Sequence, residues 1–179
     1  MWLIVNAGSS SLKLKVIDGK REVAKAFVGE IGPDGHGTAM REGLAQAGVP
    51  LHRLTAAAHR VVHGGASLTA TCRVTPEVLR QIEACVPLAP LHNPGNLVGI
   101  QAVEELAPHL PQYAAFDTAF HATNPEVATT YALPQSARDL GLRRYGFHGI
   151  SFAALVRILR QRGQLPGRLL ACHLGNGCS

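Results

Sequence analysis

Hydrophobic positions along the chain fall into short runs separated by glycine- and proline-rich breaks. Residues 2–5, Trp-Leu-Ile-Val, read as a buried strand, and Leu12, Leu14 and Val16 alternate with polar residues in a second strand. Between them lies the turn Asn6-Ala7-Gly8-Ser9-Ser10-Ser11. A third strand is predicted over residues 21–28, where Val23 and Phe27 sit among polar neighbours. A loop at 29–37 then leads to a short helix capped by Thr38 and stopped by Gly48-Val49-Pro50. Residues 56–62 form another apolar strand, ending in His63-Gly64-Gly65. Thr75-Pro76-Glu77 opens a helix that reaches about Val86, with Thr as cap, Pro at the first position and an early acid. A stiff loop at 88–96 feeds a helix in which Leu97, Ile100, Val103 and Leu106 recur at helical spacing.

Residues 112–116 read as a buried strand delivering Asp117-Thr118-Ala119-Phe120-His121. Residues 124–142 give no clear pattern. Ser151 is placed to cap a helix carrying Phe152, Leu155, Val156 and Leu159. Residues 169–173 read as a last strand running into Leu174-Gly175-Asn176-Gly177. A meander of three strands followed by alternating helices and strands predicts an α/β fold. A buried strand with no partner after it also suggests a fragment of a longer protein.

Composition changes this picture little. The chain has 179 residues, 46% of them hydrophobic and 16% charged, as expected of a globular core. The net charge of +5 is scattered, with no basic stripe, so an anionic small ligand is favoured and nucleic acid is not. No apolar run reaches spanning length and no leader pattern precedes the first strand, so a cytoplasmic protein without a membrane partner is expected. The four cysteines sit at irregular spacings and read as reduced thiols.

Chemistry concentrates at strand ends. The first turn offers an amide, three hydroxyls and several N–H groups, a set suited to phosphate oxygens, with Lys13 just beyond; an ordinary hairpin turn satisfies the same spacing. Arg60 lies inside an apolar strand and needs an anion, either on a ligand or on an acid of the chain. Asp117 at a strand's end suits a metal or a proton, or else a helix cap. His148 can donate to a phosphoryl oxygen, and His173 borders the Gly-Asn-Gly turn. His59 and His63, four apart, fall on one face of a strand, without the cysteines or acids that zinc would require.

Six of these motifs occur in an order that resembles the acetokinase family of the sugar-kinase/actin/heat-shock ATPase superfold. They are Val-Asn-Ala-Gly-Ser-Ser-Ser-Leu-Lys (5–13), His-Arg-Val-Val-His-Gly-Gly (59–65), Pro-Leu-Ala-Pro-Leu-His-Asn-Pro (87–94), Phe-Asp-Thr-Ala-Phe-His (116–121), Arg-Tyr-Gly-Phe-His-Gly (144–149) and His-Leu-Gly-Asn-Gly (173–177). The resemblance implies an actin-like (ribonuclease H-like) lobe with a mixed β-sheet flanked by helices over residues 1–120. Residues 121–179 would be the start of an incomplete, nucleotide-binding second lobe. It implies reversible phosphoryl transfer between ATP and acetate, giving acetyl phosphate and ADP, with Mg²⁺ or Mn²⁺, and a homodimer in the full-length protein. Acyl kinases acting on propionate or butyrate share much of the set.

Residue by residue, the resemblance makes Asn6 metal-associated and places Ser9, Ser11 and Lys13 at the nucleotide phosphates. Arg60 would anchor the acetate carboxylate, Asp117 would be the catalytic aspartate and His148 would stabilise the transition state. His92 would be a second active-site histidine, with Val62 and Pro94 in an apolar acetate pocket. His173, Leu174, Gly175, Asn176 and Gly177 would form the second phosphate loop. Two features depart from the family: Gly149-Ile150-Ser151-Phe152 replaces Gly-Thr-Ser-His, and the stretch from Lys13 to Arg60 is short. With the second half of the site absent, the isolated chain is expected to be inactive. A non-catalytic binding lobe is the alternative from another class, set against the buried charges a scaffold does not need. A sugar kinase is disfavoured, because Arg60 suits a carboxylate.

Overall fold

A computed structural model describes residues 1–8, 10–32, 35–175 and 178–179. The first three strands, β1 (Trp2–Ala7), β2 (Leu12–Asp18) and β3 (Arg21–Val28), form the expected antiparallel meander. Helix α1 (His36–Ala47) follows, then β4 (Ala56–Val61), a two-residue strand β5 (Cys72–Arg73), α2 (Pro76–Ala84), α3 (Asn93–Leu106) and β6 (Gln112–Phe116). Two single-turn helices, α4 (Glu126–Thr129) and α5 (Gln135–Arg138), precede α6 (Gly149–Gln161). The strands make one mixed sheet in the order β3-β2-β1-β4-β6-β5, with β4 parallel to both β1 and β6.

Period-two alternation decides which face is covered. Leu3, Val5 and Ala7 of β1 and Leu12, Leu14 and Val16 of β2 are buried, and with Ala39, Met40, Ala102 and Val103 of α1 and α3 they form one core cluster. Val61, Ile82, Ile100, Ala114 and Phe116 form a second cluster under α2 and α3. Each Val, Leu, Ile, Met or Phe side chain fully withdrawn from water here contributes about 1.5–3 kcal/mol. Of the intervening residues, Trp2, Lys13, Lys15 and Phe27 are exposed on the opposite face, and Ile4 and Asn6 are half-buried. Trp2 meets Tyr113 there, with ring centroids 5.5 Å apart.

Local signals held where they were self-contained. The Thr75 hydroxyl accepts from the Val78 N–H at 3.2 Å, Pro76 opens α2, and α1 stops at Gly48 in the left-handed region with φ 63°.

Four expectations are corrected. Helix α1 starts at His36, so Thr38 lies inside it and is no cap. Helix α6 starts at Gly149 with His148 at its N-cap, so Ser151 is likewise internal. β4 ends at Val61, so His63 has left the strand and does not share a strand face with His59. Residues 169–173 form no strand among the described residues: a strand needs a neighbour's backbone, and the one bridge nearby joins Leu174 to Cys178.

Candidate functional site

Because β1, β4 and β6 run parallel, their carboxyl ends reach the same edge of the sheet, where ligands gather in open α/β sheets. The register that pairs Val5 with His59 brings Asn6 beside Arg60. Arg60 Nε–H and Nη2–H both donate to Asp117 Oδ2, at 3.0 and 2.6 Å, and Arg60 Nη1–H donates to Asn6 Oδ1 at 3.1 Å. Asp117 is almost wholly buried, while about a third of the Arg60 side chain remains accessible. The arginine therefore finds its anion within the chain, and the aspartate is no helix cap. A guanidinium carries five N–H donors, so part of its donor set is left for a ligand.

Arg60 and Asp117 form the floor of an open cleft of about 580 Å³. Val62, Leu91, His92, Phe147 and His148 line its walls. The segment bearing Tyr145 and Phe147 is held down by the buried His63, whose ring meets theirs edge to face at 4.5 and 5.8 Å. Gly149 N–H donates to the Asp117 carbonyl at 2.8 Å, which docks the start of α6 on the aspartate's own backbone. His148, just before it, takes a left-handed φ of 56°, a conformation that costs a non-glycine residue and is held here by its surroundings. Its ring stacks on His173 at 4.2 Å, and its Nδ1 lies 2.6 Å from the Ser179 hydroxyl. Burial, with the neighbouring His173, pushes the His148 pKa below its ordinary value, so near neutral pH it offers a neutral N–H donor rather than a fixed charge.

Among the remaining predicted residues, Lys13 stands opposite Asn6 in the β1–β2 register but is exposed, with Nζ 5.9 Å from the Phe27 ring centroid and away from the cleft lining. The first turn is closed by the Gly8 N–H donating to the Ser11 carbonyl at 2.7 Å. Pro94 is exposed near the start of α3, while Pro90 lines the cleft. Leu174 and Gly175 are exposed; Ser9, Asn176 and Gly177 lie outside the described residues. Phe152 packs against Phe120, His121 and His173, an aromatic cluster that accounts for the departure at that position.

Sequence reasoning missed the residues that hold the loops in place. Asn93 accepts from the His63 N–H and donates to the His63 carbonyl, and Thr118 Oγ1 accepts from the Gly64 N–H. Asn96 Oδ1 accepts from the Val62 N–H, and His36 contacts the Gly8 carbonyl. Adjacent loop glycines were the only sequence signal for such staples.

A divalent cation such as Mg²⁺ prefers hard oxygens, often one carboxylate with waters and substrate phosphates. Asp117 fits that demand: both contacts from Arg60 fall on Oδ2, and Oδ1 has no partner among the described residues. No cluster of three or more His, Cys, Asp or Glu is present among the described residues. The donor set thus suits a cation shared with a ligand rather than a closed protein cage.

The sequence profile of the acetokinase family matches residues 41–179. An acetate kinase of Rhodopseudomonas palustris is 40% identical over 99% of this chain and 53% of its own length. One from Deinococcus radiodurans is 53% identical over 69% of this chain and 32% of its own. Among solved structures, acetate kinase of Porphyromonas gingivalis superposes with a TM-score of 0.86 at 34% identity, covering 99% of this chain and 53% of that one. A propionate kinase from Francisella tularensis gives 0.84 at 30%, with the same coverage. The chain spans about half the length of the curated relatives it matches over its whole length.

Proposed function

The chain belongs to the acetokinase family, and on that footing we propose that its protein is an acetate kinase. The reaction is reversible phosphoryl transfer between ATP and acetate, giving acetyl phosphate and ADP. The observation that carries this reading is the Arg60 guanidinium, fixed by Asp117 and Asn6 at the floor of a cleft with apolar walls. A small carboxylate with an apolar tail matches that floor and those walls. Acetate arrives already ionised, so the site has no proton to remove from the nucleophile. Its work is to hold one anion against another and to spread charge.

In this reading Arg60 orients the carboxylate, and Val62 and Leu91 exclude water from the methyl side. His92 and His148 donate to oxygens of the transferred phosphoryl group. The first turn, with Ser9 and Ser11, receives nucleotide phosphates, with Lys13 adding charge from the neighbouring strand. His173 to Gly177 would serve the same nucleotide from the other side, and Pro94 would act through α3 and not through direct contact. Asp117 Oδ1 and the Asn6 amide would hold Mg²⁺, which neutralises phosphate charge when bound.

Residues 1–120 form the acetate and phosphate lobe, and 121–179 begin the nucleotide lobe. In support, Gly149 is the only buried residue among the described residues after Thr118, so this segment has no core of its own. A homodimer in the cytoplasm completes the proposal. No helix among the described residues is long and apolar enough to cross a membrane.

The test is a hydroxamate assay on the natural full chain with ATP, Mg²⁺ and acetate, run beside propionate and butyrate to set the acyl length. Acetate-dependent turnover is expected, and Arg60→Ala should lower kcat/KM for acetate about a hundredfold or more. An enzyme that ignores acetate, or turns it over unchanged without Arg60, refutes the reading.

A further inference from the structure

Among the described residues of the first turn, the carbonyls of Ala7, Gly8, Ser10 and Ser11 are each engaged from the protein side. Ala7 O accepts from Asn96 Nδ2–H at 2.6 Å, and Gly8 O lies 2.8 Å from His36 Nε2. Ser10 O accepts from the Ile31 N–H at 3.0 Å, and Ser11 O from the Gly8 N–H at 2.7 Å. A carbonyl can only accept, so His36 carries its proton on Nε2 and donates. Both side-chain donors are buried, and both come from helices that meet the turn directly. A Cβ on Gly95 would stand 2.9 Å from Gly8 O and 3.6 Å from His36 Nε2, and one on Gly99 would stand 2.8 Å from the Ala7 Cβ. Nothing larger than hydrogen fits where α3 crosses the turn.

We propose that Asn96 and His36 are positioning residues that draw the Ala7 and Gly8 carbonyls inward and so preset the first turn for a phosphate-bearing ligand. An anion is repelled by carbonyl oxygens and attracted by N–H and O–H groups, so burying the oxygens on protein donors sets the sign of the turn before any ligand arrives. Asn96 does a second thing. Its Oδ1 accepts from the Val62 N–H at 2.9 Å, so one side chain spans from the phosphate turn to the strand end that follows Arg60. The spacing between the turn and the strand end that follows Arg60 is thereby fixed by one planar amide. The kinetic part of this inference rests on the acetate kinase reading; the structural part does not.

Three variants of the natural full chain separate the roles. His36→Phe keeps bulk and removes the donor, and His36→Gln restores a donor. Asn96→Asp keeps the acceptor for Val62 and loses the donor to Ala7. Amide exchange of residues 6–12 should quicken about five- to tenfold in His36→Phe, the loss of one hydrogen bond, with residues 56–61 unchanged and protection regained in His36→Gln. In the acetate assay, His36→Phe and Asn96→Asp should raise the KM for ATP by a similar factor and leave the KM for acetate in place. Unchanged exchange at 6–12 in His36→Phe overturns the proposal, as does a fall in kcat that merely tracks the melting temperature with no split between the two KM values. If the parent protein ignores acetate, the functional reading falls alone, and the exchange experiment still decides the positioning role.

Discussion

His59 gives the chain an acid-sensitive core. The imidazole is buried on β4, and its Nε2 lies 2.7 Å from Gln112 Oε1. Gln112 Nε2–H donates onward to Glu104 Oε2 at 2.9 Å, which orients the amide with its oxygen toward the ring. Nε2 therefore carries the proton, and Nδ1 is a buried nitrogen with no partner among the described residues. Charging that nitrogen would bury an N–H without an acceptor, and burial pushes the His59 pKa from 6.5 down to about 4. Between those values the unfolded chain binds a proton that the folded chain refuses. Stability is thus fully present above about pH 6.5 and falls as pH drops toward 4, where the folded form also protonates and the loss levels off. The gap is worth about 3 kcal/mol, a large part of the roughly 5–15 kcal/mol that holds a domain together. The assay is urea unfolding from pH 7 to pH 4, with His59→Gln as the non-titrating control. Carboxylates and the other histidines titrate in both proteins and cancel in the difference. The parent should lose about 3 kcal/mol more than the variant over this range. Parallel curves would refute the argument, since a solvated or ion-paired His59 has no such term.

Three further outcomes follow from single contacts. Gly149→Ala would drive a Cβ into the Asp117 carbonyl oxygen; acetate turnover of the full chain should fall about a hundredfold while circular dichroism stays native. Thr75→Ala removes the cap of α2 and should cost about 1 kcal/mol in urea unfolding, with Thr75→Ser close to neutral. The 179-residue chain alone should show no robust hydroxamate formation, because among the described residues of 121–179 only Gly149 is buried and the proposed nucleotide lobe has no core of its own; vigorous turnover would contradict this.

The sheet was legible because its signals are local. β1, β2 and β6 each bury alternate residues, and that alternation is written in the order of Leu3, Val5 and Ala7 or Leu12, Leu14 and Val16; β3 alternates only between exposed and half-buried positions. α2 was legible for the same reason, since Thr75, Pro76 and Glu77 are contiguous. Failures came where the deciding partner is distant. α6 begins at Gly149 because that residue's N–H finds the Asp117 carbonyl, and Ser151, the better cap by type, is carried into the helix. α1 starts at His36 without any side-chain cap. Residues 169–173 have the apolar content of a strand, but Leu170 is 93% exposed and among the described residues no strand lies alongside to accept the backbone. β5, two residues long, left no pattern to read.

The candidate site divides along the same line. Asn6 and Asp117 were visible as polar residues at the ends of apolar strands and Arg60 as a charge inside one, and the parallel register then brings all three together. What kept Arg60 ambiguous was the choice between a ligand anion and an acid of the chain, and the two are not exclusive. Asp117 takes one edge of the guanidinium through a single oxygen, and that contact holds the arginine in place while leaving donors for a ligand. A partly buried pair of this kind is weak evidence for stability, because desolvation offsets much of the attraction. Its value lies in geometry: a planar fork held on one side presents a fixed face on the other. Asn96 and Asn93 extend the same logic outward, joining backbone groups 89 and 30 residues away. No window along the chain contains such pairs, so Asn6, Arg60 and Asp117 were readable from sequence and the side chains that hold the loops around them still were not.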